Sequence, residues 1–279
     1  MTAIVSMLVP VAAGWLLTYA FRRSPPTIYS TALRLSAGIG LGIGLSSCVF
    51  FLMMLVWGPG RLTALGADLA LLVVSIAVAR GTRLAQGRRD DGSNHSPTDD
   101  ESETELARWL YFAALALAVL GLGVLCYRMP HGAWDGWAIW NMRARFFFRG
   151  GEHWRAAFSP LLSWSHPDYP LLVPASIARI WFHSGTETIT APILLAALFF
   201  VGLQGTMVGG IWSIRGEHDG FLAGSALLGT PILVLSTASQ YADIPLAFYL
   251  LLTGVALLFY ERSTRDRPGL LILAGMAAG

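Results

Sequence analysis

Long apolar runs, set between short polar breaks, dominate the pattern of this chain. Seven runs have membrane-spanning length: 3–21, 35–57, 62–80, 109–127, 188–212, 220–238 and 244–260. Each is predicted as a helix, since a bilayer core takes about 20 helical residues. An eighth run starts at Leu270 and reaches Gly279 at about half that length. The expectation from that is an N-terminal portion of a longer protein.

Two stretches depart from this pattern. Residues 80–108 carry clustered acids and arginines and almost nothing apolar, which predicts a solvated, disordered linker. The chain is therefore expected to divide into a three-span unit (1–80), a cytoplasmic polar linker (81–108) and a second membrane module (109–279). Residues 169–183 (YPLLVPASIARIWFH) are apolar but short and interrupted by Pro170 and Pro174. They predict an interfacial or re-entrant helix rather than a crossing one. The fold class that follows is all-α: a polytopic transmembrane helical bundle with a long outer loop carrying interfacial helices. Within 35–57, Gly38, Gly40, Gly42 and Gly44 form two overlapping small-xxx-small spacings. These permit close helix packing, or are simply tolerated in a membrane helix.

Composition agrees. The chain is 54% hydrophobic and 13% charged, where a soluble domain has about 25% charged residues. The net charge of +2 is uninformative about partners, and no nucleic-acid partner is expected. All cations are arginine, a planar fork suited to phosphate. Cys48 and Cys126 lie far apart in apolar runs, which excludes a disulfide framework or a CxxC metal site. Arg22 and Arg23 follow the first apolar run instead of preceding it, so that run is not a cleavable signal.

Arginine placement also orients the spans. With Arg22, Arg23, Arg80, Arg108, Arg215 and Arg262 inside, every span alternates, provided that 169–183 does not cross. The N-terminus, the loop 131–187 and the break around Asp243 then fall outside. Arg128, Arg143, Arg145, Arg149 and Arg155 run against the positive-inside trend and call for a functional explanation.

The outer segments hold the candidate chemistry. Asp135 and Asp243 fall at the membrane boundary, where an acid is paired or used. Either can serve as a general base or hold a divalent metal, and Asp243 also reads as a helix N-cap. Arg143 and Arg145, in NMRARFFF, can hold a lipid phosphate or attract anionic headgroups without specificity. His166 and Asp168, in a proline-bracketed turn, offer two donors to a metal, or simply position the next helix. Six of the ten tryptophans lie in or beside this loop: Trp134, Trp137, Trp140, Trp154, Trp164 and Trp181. They form an interfacial belt or stack on sugar rings. No GxxxxGK[ST], GxSxG or HExxH motif occurs.

The segments WDGWAIWNMRARFFF, HPDYPLLVP and QYADIPLAFYLLL together resemble the GT-C superfamily of membrane glycosyltransferases. The nearest branch holds protein O-mannosyltransferases and bacterial lipid-A aminoarabinose transferases. The resemblance covers about 109–279. It implies inverting sugar transfer from a polyprenyl-phosphate donor to a lipid, glycan or protein acceptor, on the outer face of a bacterial inner membrane. It implies Asp135 and Asp243 as catalytic acids. It implies Arg143, Arg145, Trp134, Trp137, His166, Asp168 and Tyr241 as substrate-binding residues. The chain departs from the family in the extra spans before the acidic loop. The competing expectation is a non-catalytic polytopic protein, a lipid-binding scaffold or a transporter component. A transporter carries ionisable residues at mid-span, where the sequence offers only Asp68 and Arg34 near span ends.

Overall fold

The computed structural model describes residues 2–21, 28–85, 101–263 and 268–279. Among these the regular structure is entirely helical. Five helices are long and apolar enough to cross a membrane by themselves. They are α2 (Ile28–Trp57), α3 (Arg61–Ala85), α4 (Glu101–Arg128), α7 (Thr190–Arg215) and α10 (Asp243–Glu261). The pair α8 (Glu217–Leu228) and α9 (Pro231–Ala238) is bent by 62° and is either a broken sixth span or a re-entrant loop. Helices α1 (Thr2–Leu17) and α11 (Pro268–Ala278) are shorter. Between the crossings lie α5 (Met142–Arg149) and α6 (Leu172–Ser184). The protein is a polytopic helical membrane protein.

Several element boundaries differ from the hydropathy reading. The first run is a 16-residue helix followed by a 3-10 turn, Thr18–Phe21, where Thr18 Oγ1 donates to the Trp15 carbonyl. The run 220–238 is not straight. Thr230 is extended and Pro231 opens α9, and proline has no N–H to continue a ladder from α8. Residues 101–108, expected in the linker, form the first turns of α4. Glu101 and Glu103 sit there against the positive end of the helix dipole. The rest of that linker from residue 86, and Arg22, Arg23, Arg265 and Arg267, lie outside the described residues.

Helix α2 is the central post, and its glycines serve two faces. Residues four apart share a face, while residues two apart point in nearly opposite directions. A Cβ on Gly42 would stand 1.9 Å from the Pro10 carbonyl oxygen. One on Gly14 would stand 1.9 Å from the Gly38 oxygen. Thus Gly38 and Gly42 admit the backbone of α1. On the other side, Gly40 lies under the Phe248 ring, and Tyr249 Oη donates to the Gly40 carbonyl at 2.8 Å. Helix α10 seats there. The close-packing reading of these glycines holds.

The short apolar segment near residue 175 is the non-crossing helix expected, and it is packed inside protein. Residues 173–181 of α6 are all buried, covered by α1, α2, α3, α5 and α7. At 13 residues it is about 20 Å long, too short to cross a bilayer. The N-terminal helices therefore form the cradle of this inner helix.

A buried polar cluster fastens the cradle. Asp68 on α3 is 5% exposed and Arg179 on α6 is 1% exposed. Arg179 Nη1 lies 2.8 and 3.0 Å from the two Asp68 oxygens and 3.1 Å from the Ser6 carbonyl oxygen of α1. His183 Nε2 lies 2.8 Å from Asp68, and Ser46 Oγ of α2 donates to it at 3.4 Å.

One end of the bundle gathers the turn after α2, the 129–171 segment, the α6–α7 turn and the break before α10. Arg155 Nη2 donates to the Leu55 carbonyl, and Phe51 packs on Phe147, Trp154 and Phe158. At the far end, Arg34 stacks over Trp15 and Tyr19, Arg108 pairs with Glu217, and Arg262 reaches the Ile214 carbonyl. The described spans thus alternate in the order the arginines suggest.

Candidate functional site

The chain leaves α4 through a tight turn and enters a π-helical turn, Gly136–Asn141, before α5. Such single π turns recur at functional sites. Here the segment lies directly on the break after α9. Ala133 N donates to the Ser239 carbonyl at 3.1 Å. A Cβ on Gly132 or on Gly136 would stand 2.5 Å from that same oxygen, and Gly132 has φ +75°. Only glycine allows this backbone approach.

Side chains close the junction. Asn141 Nδ2 donates to Gln240 Oε1 at 2.9 Å and to the His131 carbonyl at 3.2 Å. Gln240 Nε2 donates to the Pro130 carbonyl at 3.1 Å. Both residues are buried, and Gln240 holds φ +59°, a costly conformation for a residue with a Cβ. Neither had been singled out in the sequence. Their only signal was a polar pair sitting in otherwise apolar surroundings.

Asp135 precedes the π turn and is half-buried, while Asp243 opens α10 and is exposed. Among the described residues neither carboxylate has a hydrogen-bond or ion-pair partner. The capping reading of Asp243 is corrected, because Ala242 occupies the cap and no side-chain cap bond forms. Tyr241 is half-buried in the same break, its N–H bonded to the Ser236 carbonyl.

Arg143 is not free to meet a phosphate. It is 1% exposed and donates to the carbonyls of Tyr169 at 2.8 Å, Ser165 at 3.2 Å and His166. It clamps the proline-bracketed turn from inside. Burial pulls its pKa down, and the nearby Asp168 charge opposes that. Above this clamp His166 and Asp168 are exposed. His166 stands at φ +48° with its ring stacked 4.5 Å from Tyr169, which in turn stacks on Trp140.

On α5, Arg149 is exposed and Arg145 is partly so. Both engage Glu187 of the α6–α7 turn, Arg145 through Nε at 3.2 Å and Arg149 through Nε and Nη2, the latter at 2.7 Å. The Glu187 hydrogen bond and charge hold the Arg149 pKa above its usual value. These three residues line a cavity of about 230 Å³ with His131, Asn141 and Trp181. Asn141 therefore belongs both to the junction and to the cavity wall. Its Oδ1 is buried and unpartnered.

The tryptophans separate into two sets. Trp140, Trp154 and Trp181 are core residues. Trp134, Trp137 and Trp164 are 57%, 42% and 51% exposed, and form one cluster beside Asp135, with ring centroids 4.8 and 6.5 Å apart. Only this second set is available to a membrane surface or a sugar.

Among the described residues no three His, Cys, Asp or Glu side chains converge as metal ligands. The pair His166 and Asp168 has no third donor, so no step is routed through a metal. The sequence reading also missed that Arg179 and His183 join Asp68 at depth, because partners 111 residues apart leave no local pattern. Compared with models of protein families, with curated proteins and with solved structures, the chain matches none.

Proposed function

We propose that this chain carries the active site of a GT-C-like membrane glycosyltransferase using a polyprenyl-phosphate-linked sugar. The observation that carries the proposal is one juxtaposition. Two unpartnered carboxylates, Asp135 and Asp243, sit on segments zipped together by Asn141 and Gln240, beside an arginine-lined cavity. A carboxylate without a partner at a membrane boundary is costly unless used.

In the proposed reaction Asp135 accepts the proton of an acceptor hydroxyl. The oxygen attacks the anomeric carbon, the bond from that carbon to the phosphate oxygen breaks, and configuration inverts. The departing lipid phosphate gathers negative charge that Arg145 and Arg149 face. Arg143 shapes the 165–169 turn instead of binding substrate. Asp243 orients the acceptor, and Trp134 and Trp137 provide rings on which a sugar can stack. The outer face of a bacterial inner membrane is the proposed location, on the arginine distribution.

The transporter alternative would draw on the buried Asp68, Arg179 and His183. That cluster is closed by its own partners and by the cradle, which favours a structural role for it. The test is transfer from a radiolabelled polyprenyl-phosphate sugar in membranes. Asp135→Asn should lose transfer by about 10²-fold or more while inserting normally. Asp243→Asn should lose less. Full activity in Asp135→Asn would sink the assignment of the base.

A further inference from the structure

We infer that Glu187 is a specificity-determining residue that tunes the arginine cavity to a singly charged phosphodiester and weakens its hold on a doubly charged phosphomonoester. The inference rests on the proposed use of this cavity for the donor's phosphate. A polyprenyl-phosphate sugar is a phosphodiester with one negative charge. The lipid phosphate left after transfer is a monoester, with a second pKa near 6 and a charge approaching −2 above it.

The cavity holds two fixed cations, Arg145 and Arg149, and one anion, Glu187. These three groups sum to +1, which matches the diester and not the monoester. Glu187 is placed to exert this effect. Its side chain is only 15% exposed and both its oxygens are engaged by the two arginines. The turn that carries it is pinned at the far side, where Trp181 Nε1 donates to the Thr188 carbonyl at 2.9 Å. The carboxylate is thereby a fixed wall. Arg149 is 68% exposed, so it still offers N–H groups to an incoming oxygen. A phosphate bound there lies within a few ångströms of Glu187. In a half-exposed site each further negative charge costs roughly tenfold in affinity. Glu187 so favours entry of the donor and departure of the spent lipid phosphate.

The experiment measures binding to the full chain in detergent by calorimetry at pH 8. The probes are a short-chain prenyl monophosphate, its methyl diester and inorganic phosphate. Wild type should bind the diester at least as well as the monoester. Glu187→Gln should shift the preference roughly tenfold toward the monoester, while Glu187→Asp should keep the wild-type preference. An unchanged diester-to-monoester ratio in Glu187→Gln would overturn the inference while leaving the phosphate seat standing. Undiminished binding of both lipid probes in Arg145→Gln/Arg149→Gln would overturn the seat itself. Inorganic phosphate bound as tightly as the prenyl probes would assign the site to free phosphate and overturn the lipid-diester inference.

Discussion

Removing Asp68 while keeping Arg179 should be strongly destabilising. Arg179 is 1% exposed, and among the described residues Asp68 is the carboxylate that neutralises it. Its remaining contacts are a backbone carbonyl of α1 and the Met7 sulfur. Asp68→Leu therefore strands a buried guanidinium, at a cost of about 3–5 kcal/mol. For a chain of this size that corresponds to a fall in Tm of roughly 6–20 °C. The double variant Asp68→Leu/Arg179→Met removes both charges and keeps apolar volume, and such replacements are often neutral or stabilising. The assay is thermal unfolding of detergent-purified protein, followed by tryptophan fluorescence and by retention of the monodisperse peak. The expected order is wild type and double variant together, with Asp68→Leu well below. A double variant as unstable as the single one would refute the stranded-charge argument. The loss would then have to come from Ser46 and His183 or from packing around α3.

Three further outcomes follow from the geometry. Gly42→Leu should break the α1–α2 contact and abolish the monodisperse peak on size exclusion, whereas Gly123→Leu, where a Cβ meets nothing, should be silent. Asn141→Ala and Gln240→Ala should each cost about 1–3 kcal/mol by leaving the other amide unsatisfied. The double variant should cost less than their sum, a non-additivity that chemical denaturation of the purified set measures. Arg143→Met should lower stability and transfer together by releasing the 165–169 turn, while Arg149→Gln should weaken phosphate binding with the melting temperature unchanged.

Five of the seven expected crossings were legible because hydropathy reports them directly, while the first run is a shorter helix and the run 220–238 is bent. Also legible was the pairing of the Asp135 loop with the Asp243 break, since both had to lie at the same end of alternating spans. The glycines of α2 announced a close contact, though not that alternate ones serve different helices. The role of Arg143 was not legible. An arginine between aromatics at a membrane boundary reads the same whether it faces a phosphate or three backbone carbonyls. That α6 does not cross was legible from its length, but its burial was not, because its composition suits a water–lipid boundary as well as a protein interior. Asn141 and Gln240 are single amides whose meaning exists only once 99 residues of chain have folded back.

The cradle also has a history in time. During synthesis α3 emerges with Asp68 well before α6 brings Arg179, 111 residues later. At about 5–20 residues per second that gap is roughly 5–20 s. Over that interval α3 must partition into lipid with a bare acid. Lying near the span's end, the acid opposes entry by less than the roughly 2.5–3.5 kcal/mol of a helix-centre acid, and the surrounding leucines and valines, with a mean hydropathy of 2.2, carry it in. The nascent protein thus passes through a stage in which Asp68 has no guanidinium partner. Arrival of the late guanidinium marks the end of that stage.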